Sequence, residues 1–294
     1  MARQRRRIAA VLILMSLAFA AAFTSGSGWL MRLLDLFGGA TLPALMQSAS
    51  LVLLTTLMCT LTLLRFFPAQ RQQAEVFAGG LAAFEVFNLA LGLFGVGFTS
   101  PLLAVCTLGM FVLATDHLLY GRLLDAFGLW RPLSARHSFT VRATPHAGWN
   151  AVVPRPDTVS THWIGALSAV TPTREPDVCV ARYRLGDGTV LHKSLTTLAE
   201  SHPEHVRYHF EPEADDDESR YGAGFYEAWF QAVDEETTEV TLLCEYTALR
   251  LRTALQLYFD DWLGSEADAI QAFVEQRPDT SMHARLWRDV LRQA

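Results

Sequence analysis

VFAGGLAAFEVFNLALGLFGVGFTSPLLAVCTLGMFVLATDHLLY, residues 76–120, is the stretch that decides the architecture. Glu85 and Asp116 are its only formally charged residues, and a Thr99-Ser100-Pro101 turn divides it. A bilayer core of about 30 Å requires roughly 20 apolar residues per helix, because unpaired backbone groups are too costly in hydrocarbon. Residues 76–98 and 101–120 each meet that length, so the stretch reads as a hairpin of two transmembrane helices. Upstream, residues 8–24 and 43–64 have the same character, which predicts a four-span membrane domain over residues 1–120.

The arginines orient it. Arg3, Arg5, Arg6 and Arg7 precede the first span, Arg65 and Arg71 follow the second, and Arg122, Arg131 and Arg136 follow the fourth. The opposite loops hold only Arg32, offset by Asp35, and the uncharged TSP turn. By the positive-inside rule the N-terminus and everything after Tyr120 are expected in the cytoplasm, as a multi-pass protein of the cell membrane. The alternative for residues 1–22 is a cleaved signal peptide, with a basic start, an apolar middle and an Ala-rich end, although no sharp polar cleavage region follows. Cleavage leaves the C-terminus on the same side. Between the first two spans, Trp29–Phe37 reads either as an amphipathic interfacial segment or as an extension of the second helix.

Polar groups within the spans are Glu85 and Asn88, one turn apart, and Asp116 and His117. With a pivot near Ser100, Glu85 is expected level with Thr115–His117, where it meets His117 or shares a proton with Asp116. A hydrogen bond that glues the hairpin is the favoured role, since one isolated pair makes no relay.

Beyond Tyr120 the composition changes. The first 120 residues hold seven Lys/Arg against four Asp/Glu, a balance of +3, whereas the whole chain is −6, leaving −9 for the remainder. An acidic soluble part excludes nucleic acid as the expected partner, since phosphate binding needs clustered bases. Lys193 is the only lysine. Cys59, Cys106, Cys179 and Cys244 have no CxxC spacing, so neither a metal site nor a disulfide framework is expected.

Residues 121–136 read as a linker. A short alternating strand, His137–Ala143, is followed by a helix over Pro145–Val153, opened by a proline suited to a first turn and closed by Pro154 and Pro156. Strands are then expected at 163–170, 177–185, 189–199, 205–211, 222–233 and 238–248, with Gly186-Asp187-Gly188 as a hairpin turn. Glu213–Ser219 reads as a solvated acidic loop, since it lacks the ligand alternation and central glycine of a calcium loop. Leu255, Tyr258, Phe259, Trp262 and Leu263 form a helical stripe that Gly264 breaks, and Ser265–Asp268 resembles a capping box restarting it. Residues 277–294 form an amphipathic tail, with Leu286, Trp287, Val290 and Leu291 on one side of its helix.

The order of strand, short helix, antiparallel strands and long C-terminal helix resembles the helix-grip superfamily of START-like and polyketide cyclase-like proteins (SRPBCC). The residues carrying the resemblance are Ala143-Thr-Pro145, Trp149, the His162-Trp163 strand opening and the closing helix Thr253–Glu275, over about residues 137–276. The resemblance implies an α+β fold, a curved antiparallel sheet around a C-terminal helix, with a cavity for a hydrophobic small molecule or lipid. The alternation leaves two choices of register; the favoured lining is Tyr208, Phe210, Tyr226, Phe230, Leu255, Phe259 and Trp262, most of which read individually as hydrophobic core. Arg182 and Arg184 are candidates for holding an anionic head group or else belong to a solvated face.

A catalytic reading is weaker. No nucleophile elbow, phosphate loop, HExxH or dinucleotide fingerprint occurs, and no cofactor is expected. His205 and His209 on one strand stand about 13 Å apart, too far to share an ion. The expected function is therefore membrane-anchored binding of a lipid or apolar molecule from the adjacent bilayer. The alternatives are a cyclase- or hydratase-type enzyme using an acid such as Glu227 or Glu245, and a non-catalytic sensor or interaction domain.

Overall fold

The computed structural model describes residues 4–25, 30–31, 34–35, 41–67, 70–98, 100–121, 129–184, 190–213, 222–279 and 281. It divides into two compact units, Met1–Phe127 and Gly128–Ala294.

The first unit contains α1 (Arg5–Ser25), α2 (Leu42–Phe66), α3 (Gln73–Leu93) and α4 (Pro101–Leu119). All four are long and apolar enough to cross a membrane. Thr41 caps α2 by accepting from the Ala44 amide at 3.3 Å. Outward-facing Leu102, Met110 and Leu113 of α4 are largely exposed, an apolar surface that water alone covers poorly. α3 packs against both α1 and α4. Its approach to α4 depends on two small residues. A Cβ on Gly80 would lie 2.6 Å from the Val112 Cα, and one on Gly79 would lie 3.0 Å from Thr115 Cγ2. Small residues let helix backbones come this close.

One end of the unit is closed by charge. Arg7 of α1, wholly buried, meets Glu75 of α3, also buried, with Nε to Oε1 at 2.6 Å. The Tyr120 hydroxyl, just after α4, donates to the second Glu75 oxygen. Three helices are thereby tied through one carboxylate. Arg7 was expected among the flanking residues before the first span. Instead α1 begins at Arg5 and carries Arg7 into the bundle.

α3 also ends earlier than the residue 98 expected. Phe94 follows its last turn, and Gly95 takes a left-handed φ of 69° that a side chain would resist. The antiparallel pivot thus precedes Ser100, and the register changes. Gly79 lies beside Thr115, while Phe84 meets Phe111. Glu85, six residues beyond Gly79, sits about 9 Å along the axis from Thr115, and Asp116 and His117 continue the other way. The expected Glu85–His117 and Glu85–Asp116 contacts do not form. Glu85 is fully buried and accepts from Asn88 Nδ2 at 3.5 Å, one turn on.

The second unit opens with β1 (Trp130–Val141), which starts before His137 and takes in residues assigned to the linker. Thr144 then caps α5 (Pro145–Val152) by accepting from the Ala147 amide at 3.4 Å. The strands β2 (Leu167–Pro172), β3 (Val178–Arg184), β4 (Val190–Ser201), β5 (His205–Pro212), β6 (Gly224–Ala232) and β7 (Thr238–Arg250) follow. They form one antiparallel sheet in the order β1-β7-β6-β5-β4-β3-β2, with β1 returning to pair with β7. Register shifts at 131/133, 167/169 and 197/199 interrupt the ladders, and such bulges bend a sheet.

The concave face is closed by α6 (Leu251–Asp260) and α7 (Trp262–Val274). The break between them falls at Asp261, left-handed at φ 46°, and not at Gly264. Gly264 and Ser265 are buried inside α7, so the expected capping box does not exist there. Burial supplies the reason: Leu263, Ala267 and Ile270 need one uninterrupted helix to reach the sheet. Trp149, Phe230, Val240, Leu242, Leu263 and Ile270 anchor the core. Gln271 Nε2 pins α7 by donating to the Thr140 carbonyl at 2.9 Å. The Gly186–Gly188 turn, most of the Glu213–Ser219 loop, most of Trp29–Phe37 and the tail helix 284–293 lie outside the described residues.

Candidate functional site

Alternation along the central strands sends a particular set of polar side chains inward. In β3, Cys179, Ala181 and Tyr183 share the inner face, and Ala181 is opposite Lys193 of β4. Lys193 follows Leu191 and precedes buried Leu195 at strand spacing, so it must face the same way. Tyr208 of β5 is opposite Tyr226 of β6, which is opposite Cys244 of β7. From α7, Glu266 lies three residues after Leu263 and four before Ile270, on the stripe that meets the sheet.

These residues converge. The Tyr226 hydroxyl donates to Glu266 Oε1 at 3.0 Å. The Tyr208 and Tyr226 rings stack at 5.2 Å. Lys193 Nζ stands 5.4 Å from the Phe210 ring centre and 5.7 Å from that of Tyr183, at cation–π range. Tyr246 bridges Phe210 and Trp262, at 5.3 and 5.6 Å. Tyr183, Lys193, Tyr208 and Glu266 are surrounded by protein, yet each keeps part of its accessible surface. Together they form an inner wall between the sheet and α7.

Its electrostatics follow from enclosure. Burial pushes the Glu266 carboxyl up to about 7, against the opposing pull of the Tyr226 hydrogen bond and the Lys193 charge. Burial also lowers Lys193 from its usual value, while Glu266 works the other way. The Tyr183, Tyr208 and Tyr226 phenols and the Cys179 and Cys244 thiols are all raised, in each case chiefly by burial. Glu266, raised to about 7, and Lys193, lowered from its usual value, thus stand among phenols and thiols that burial raises.

Of the residues predicted from sequence, Tyr208, Phe210 and Tyr226 belong to this wall, with Trp262 at its edge through Tyr246. Phe230 shares their face but packs on Trp149 at 5.6 Å, toward α5. Leu255 and Phe259 are half-buried outside the core; Ala254 and Leu257 make the contact for α6, and Phe259 meets Tyr258 instead. Arg182 and Arg184 are exposed on the face opposite Ala181, so they are not part of this wall. Glu227 pairs on the outer face with His205 at 2.8 Å, and Glu245 stands outside near Ser134. The acid inside is Glu266. Among the described residues no three His, Cys, Asp or Glu side chains converge as metal donors.

Sequence reasoning missed Lys193, Glu266 and Tyr183. A signal was present for the first two: a lone lysine between Leu191 and Leu195, and an acid on an apolar helical stripe.

No protein-family model and no curated protein matches this chain. Solved structures do resemble its C-terminal half. They include the Zhui aromatase/cyclase of Streptomyces sp. R1128, at 14% identity and TM-score 0.38, covering 50% of this chain and 95% of that one. A START superfamily protein of Mycobacterium smegmatis matches at 9% identity and TM-score 0.37, covering 49% and 97%. A conserved protein of Geobacillus kaustophilus matches at 12% identity and TM-score 0.37, covering 49% and 93%. The architecture, on its own topology, is four long apolar helices followed by a helix-grip-like α+β unit.

Proposed function

We propose that this chain is a membrane-anchored binding protein whose C-terminal unit takes a hydrophobic small molecule or lipid into the cavity between sheet and helix. The observation carrying this reading is the set of enclosed but still accessible inner-face residues, Tyr183, Lys193, Tyr208 and Glu266. Small-molecule sites are concave and mostly apolar, with a few placed polar groups, and this wall has that composition. The four apolar helices support anchoring, and the arginine distribution supports a cytoplasmic C-terminal unit in the cell membrane. Tethering raises the effective concentration of the cavity near bilayer ligands.

The test is solvent extraction of the full chain, purified in detergent, followed by mass spectrometry beside a Cys179→Phe variant that fills the cavity. A molecule that co-purifies with the native chain and not with the variant supports the reading. An empty protein that gains no thermal stability from any lipid or apolar compound overturns it in favour of a sensor or interaction domain. Labelling of cysteines placed beyond residue 140 from outside sealed cells would overturn the topology.

A second reading has one specific observation in its favour. Glu266, held near neutrality beside the Tyr226 hydroxyl, has the pKa a general acid–base catalyst needs. Turnover of a bound molecule, lost in Glu266→Gln, would make the protein a cyclase- or hydratase-type enzyme.

A further inference from the structure

α2 carries its polar side chains in two different ways. Ser48, Thr56, Thr60 and Thr62 each donate to the carbonyl four residues back in their own helix, at 2.8 Å. Gln47, Ser50 and Thr55 make no hydrogen bond among the described residues, and all three are exposed. Met46, Gln47, Ser50, Leu51 and Leu54 line a shallow groove on the same side. An acyl chain offers an amide or a hydroxyl nothing to bond, so lipid covers these groups poorly.

Their spacing says what covers them better. Gln47, Leu51, Leu54, Met58 and Leu61 follow one another at intervals of four, three, four and three residues. That is the seam of a left-handed coiled coil, with Leu51 and Met58 at a and Gln47, Leu54 and Leu61 at d. Leu51, Leu54 and Met58 are exposed, whereas Val52 and Leu53, off the seam, pack against the cluster of Val11 and Met15 on α1. In this register Ser50 is a g position and Thr55 the following e, the two that face each other across a parallel pair. Chains inserted in one membrane share an orientation, so two copies meet about a two-fold axis along its normal. That symmetry sets α2 parallel to α2 and each seam residue against its own copy. An amide both donates and accepts, which makes Gln47 complementary to itself. Ser50 of each copy then meets Thr55 of the other. One arrangement gives all three unbonded groups a partner. Arg65, the next a position, ends the seam, since two arginines repel.

We propose that α2 is the interface of a parallel homodimer, in which a second copy of this chain packs along residues 47–61 and a Gln47–Gln47 amide pair fixes the register. The proposal rests on the membrane-anchored reading above and goes beyond it.

The test uses cysteine variants of the full chain in a Cys59→Ser, Cys106→Ser background, reconstituted in phosphatidylcholine/phosphatidylglycerol vesicles and oxidised with copper phenanthroline. Leu51→Cys, Leu54→Cys and Met58→Cys should give disulfide-linked dimers, while Val52→Cys, Leu53→Cys and the background chain should give none. Single-molecule photobleaching in the same vesicles should count two copies of the native chain. Gln47→Leu should weaken association about threefold to tenfold, the worth of one or two interhelical hydrogen bonds, and Gln47→Asn should keep most of it. Crosslinking without this period, or a Gln47→Leu chain that associates as tightly as the native one, overturns the inference. So do single copies at every lipid dilution, whether or not they retain lipid on α2. In each of these cases resistance to alkaline carbonate extraction leaves membrane anchoring standing, and release by carbonate overturns both.

Discussion

Each unit encloses a carboxylate against a base, and the two pairs differ in everything that decides their use. Arg7 and Glu75 are sealed, at 0% and 2% side-chain exposure, in direct contact, with Tyr120 completing the cluster. Lys193 and Glu266 face each other from sheet and helix and keep accessible surface, with Lys193 beside the Tyr183 and Phe210 rings. Arginine never deprotonates in a protein, so the first pair is a fixed tie between helices. Lysine and a carboxylate raised toward neutrality make a pair that answers to pH. Sealing makes the first pair a fastener.

The largest effect should come from breaking the sealed pair. Glu75→Ala leaves the Arg7 charge buried without its carboxylate and should cost about 3–5 kcal/mol, read as a lowered thermal midpoint of the detergent-solubilised chain. Arg7→Met combined with Glu75→Leu should recover most of it, because matched apolar replacement avoids an uncompensated charge. If the single variant is as stable as the native chain, the fastener interpretation fails.

The second effect concerns pH, and two groups act with opposite sign. Glu266 has a folded pKa of about 7 against 4.5 unfolded, so its contribution is greatest below 4.5 and is lost as pH rises through 7. The loss is at most on the order of 3 kcal/mol, discounted for solvent screening of a group that keeps accessible surface. His162 is buried and neutral, accepting from the Ile164 amide and facing the Val152 carbonyl, each at 3.1 Å, with its pKa lowered by burial to about 4. Its contribution is present above 6.5 and is lost as pH falls toward 4. Between about 4.5 and 6.5 the two slopes cancel. Glu266→Gln should therefore gain stability with rising pH in that window, by about 1.4 kcal/mol per unit, and His162→Gln should lose it. Denaturant unfolding followed by tryptophan fluorescence measures both slopes. Identical slopes in the two variants would refute the assignment.

A smaller effect is expected at the helix crossing. Gly80→Ala places a methyl 2.6 Å from the Val112 Cα and should cost about 1–3 kcal/mol by forcing α3 from α4. The smallest belongs to Arg182→Gln and Arg184→Gln on the solvated face, within about 0.5 kcal/mol and without effect on ligand uptake. A marked loss of binding there would return the outer face to the candidate site.

Much of the fold was legible in order and type. The four apolar helices, α5 behind its proline and the run of strands follow from periodicity and turn residues, because a hydrophobic period is written locally. What periodicity could not give was register. The early end of α3 at Leu93 moved Glu85 away from His117, and the Asp261 break displaced the expected one at Gly264. Of the inner wall, Tyr208, Phe210 and Tyr226 were legible as one alternating set, whereas Arg182 and Arg184 were one residue out of phase with it. A strand shifted by one residue presents its other face.

By itself the sequence determined the two-part organisation: helices of hydrocarbon length, then an acidic sheet-forming half. Only the tertiary structure decided that Arg7 meets Glu75, residues from different helices, and that the lone lysine faces an acid from the closing helix. The physical reason is range. Helix and strand propensity, turn chemistry and amphipathic period act over a few residues, whereas a charge pair inside a protein depends on which distant elements pack together.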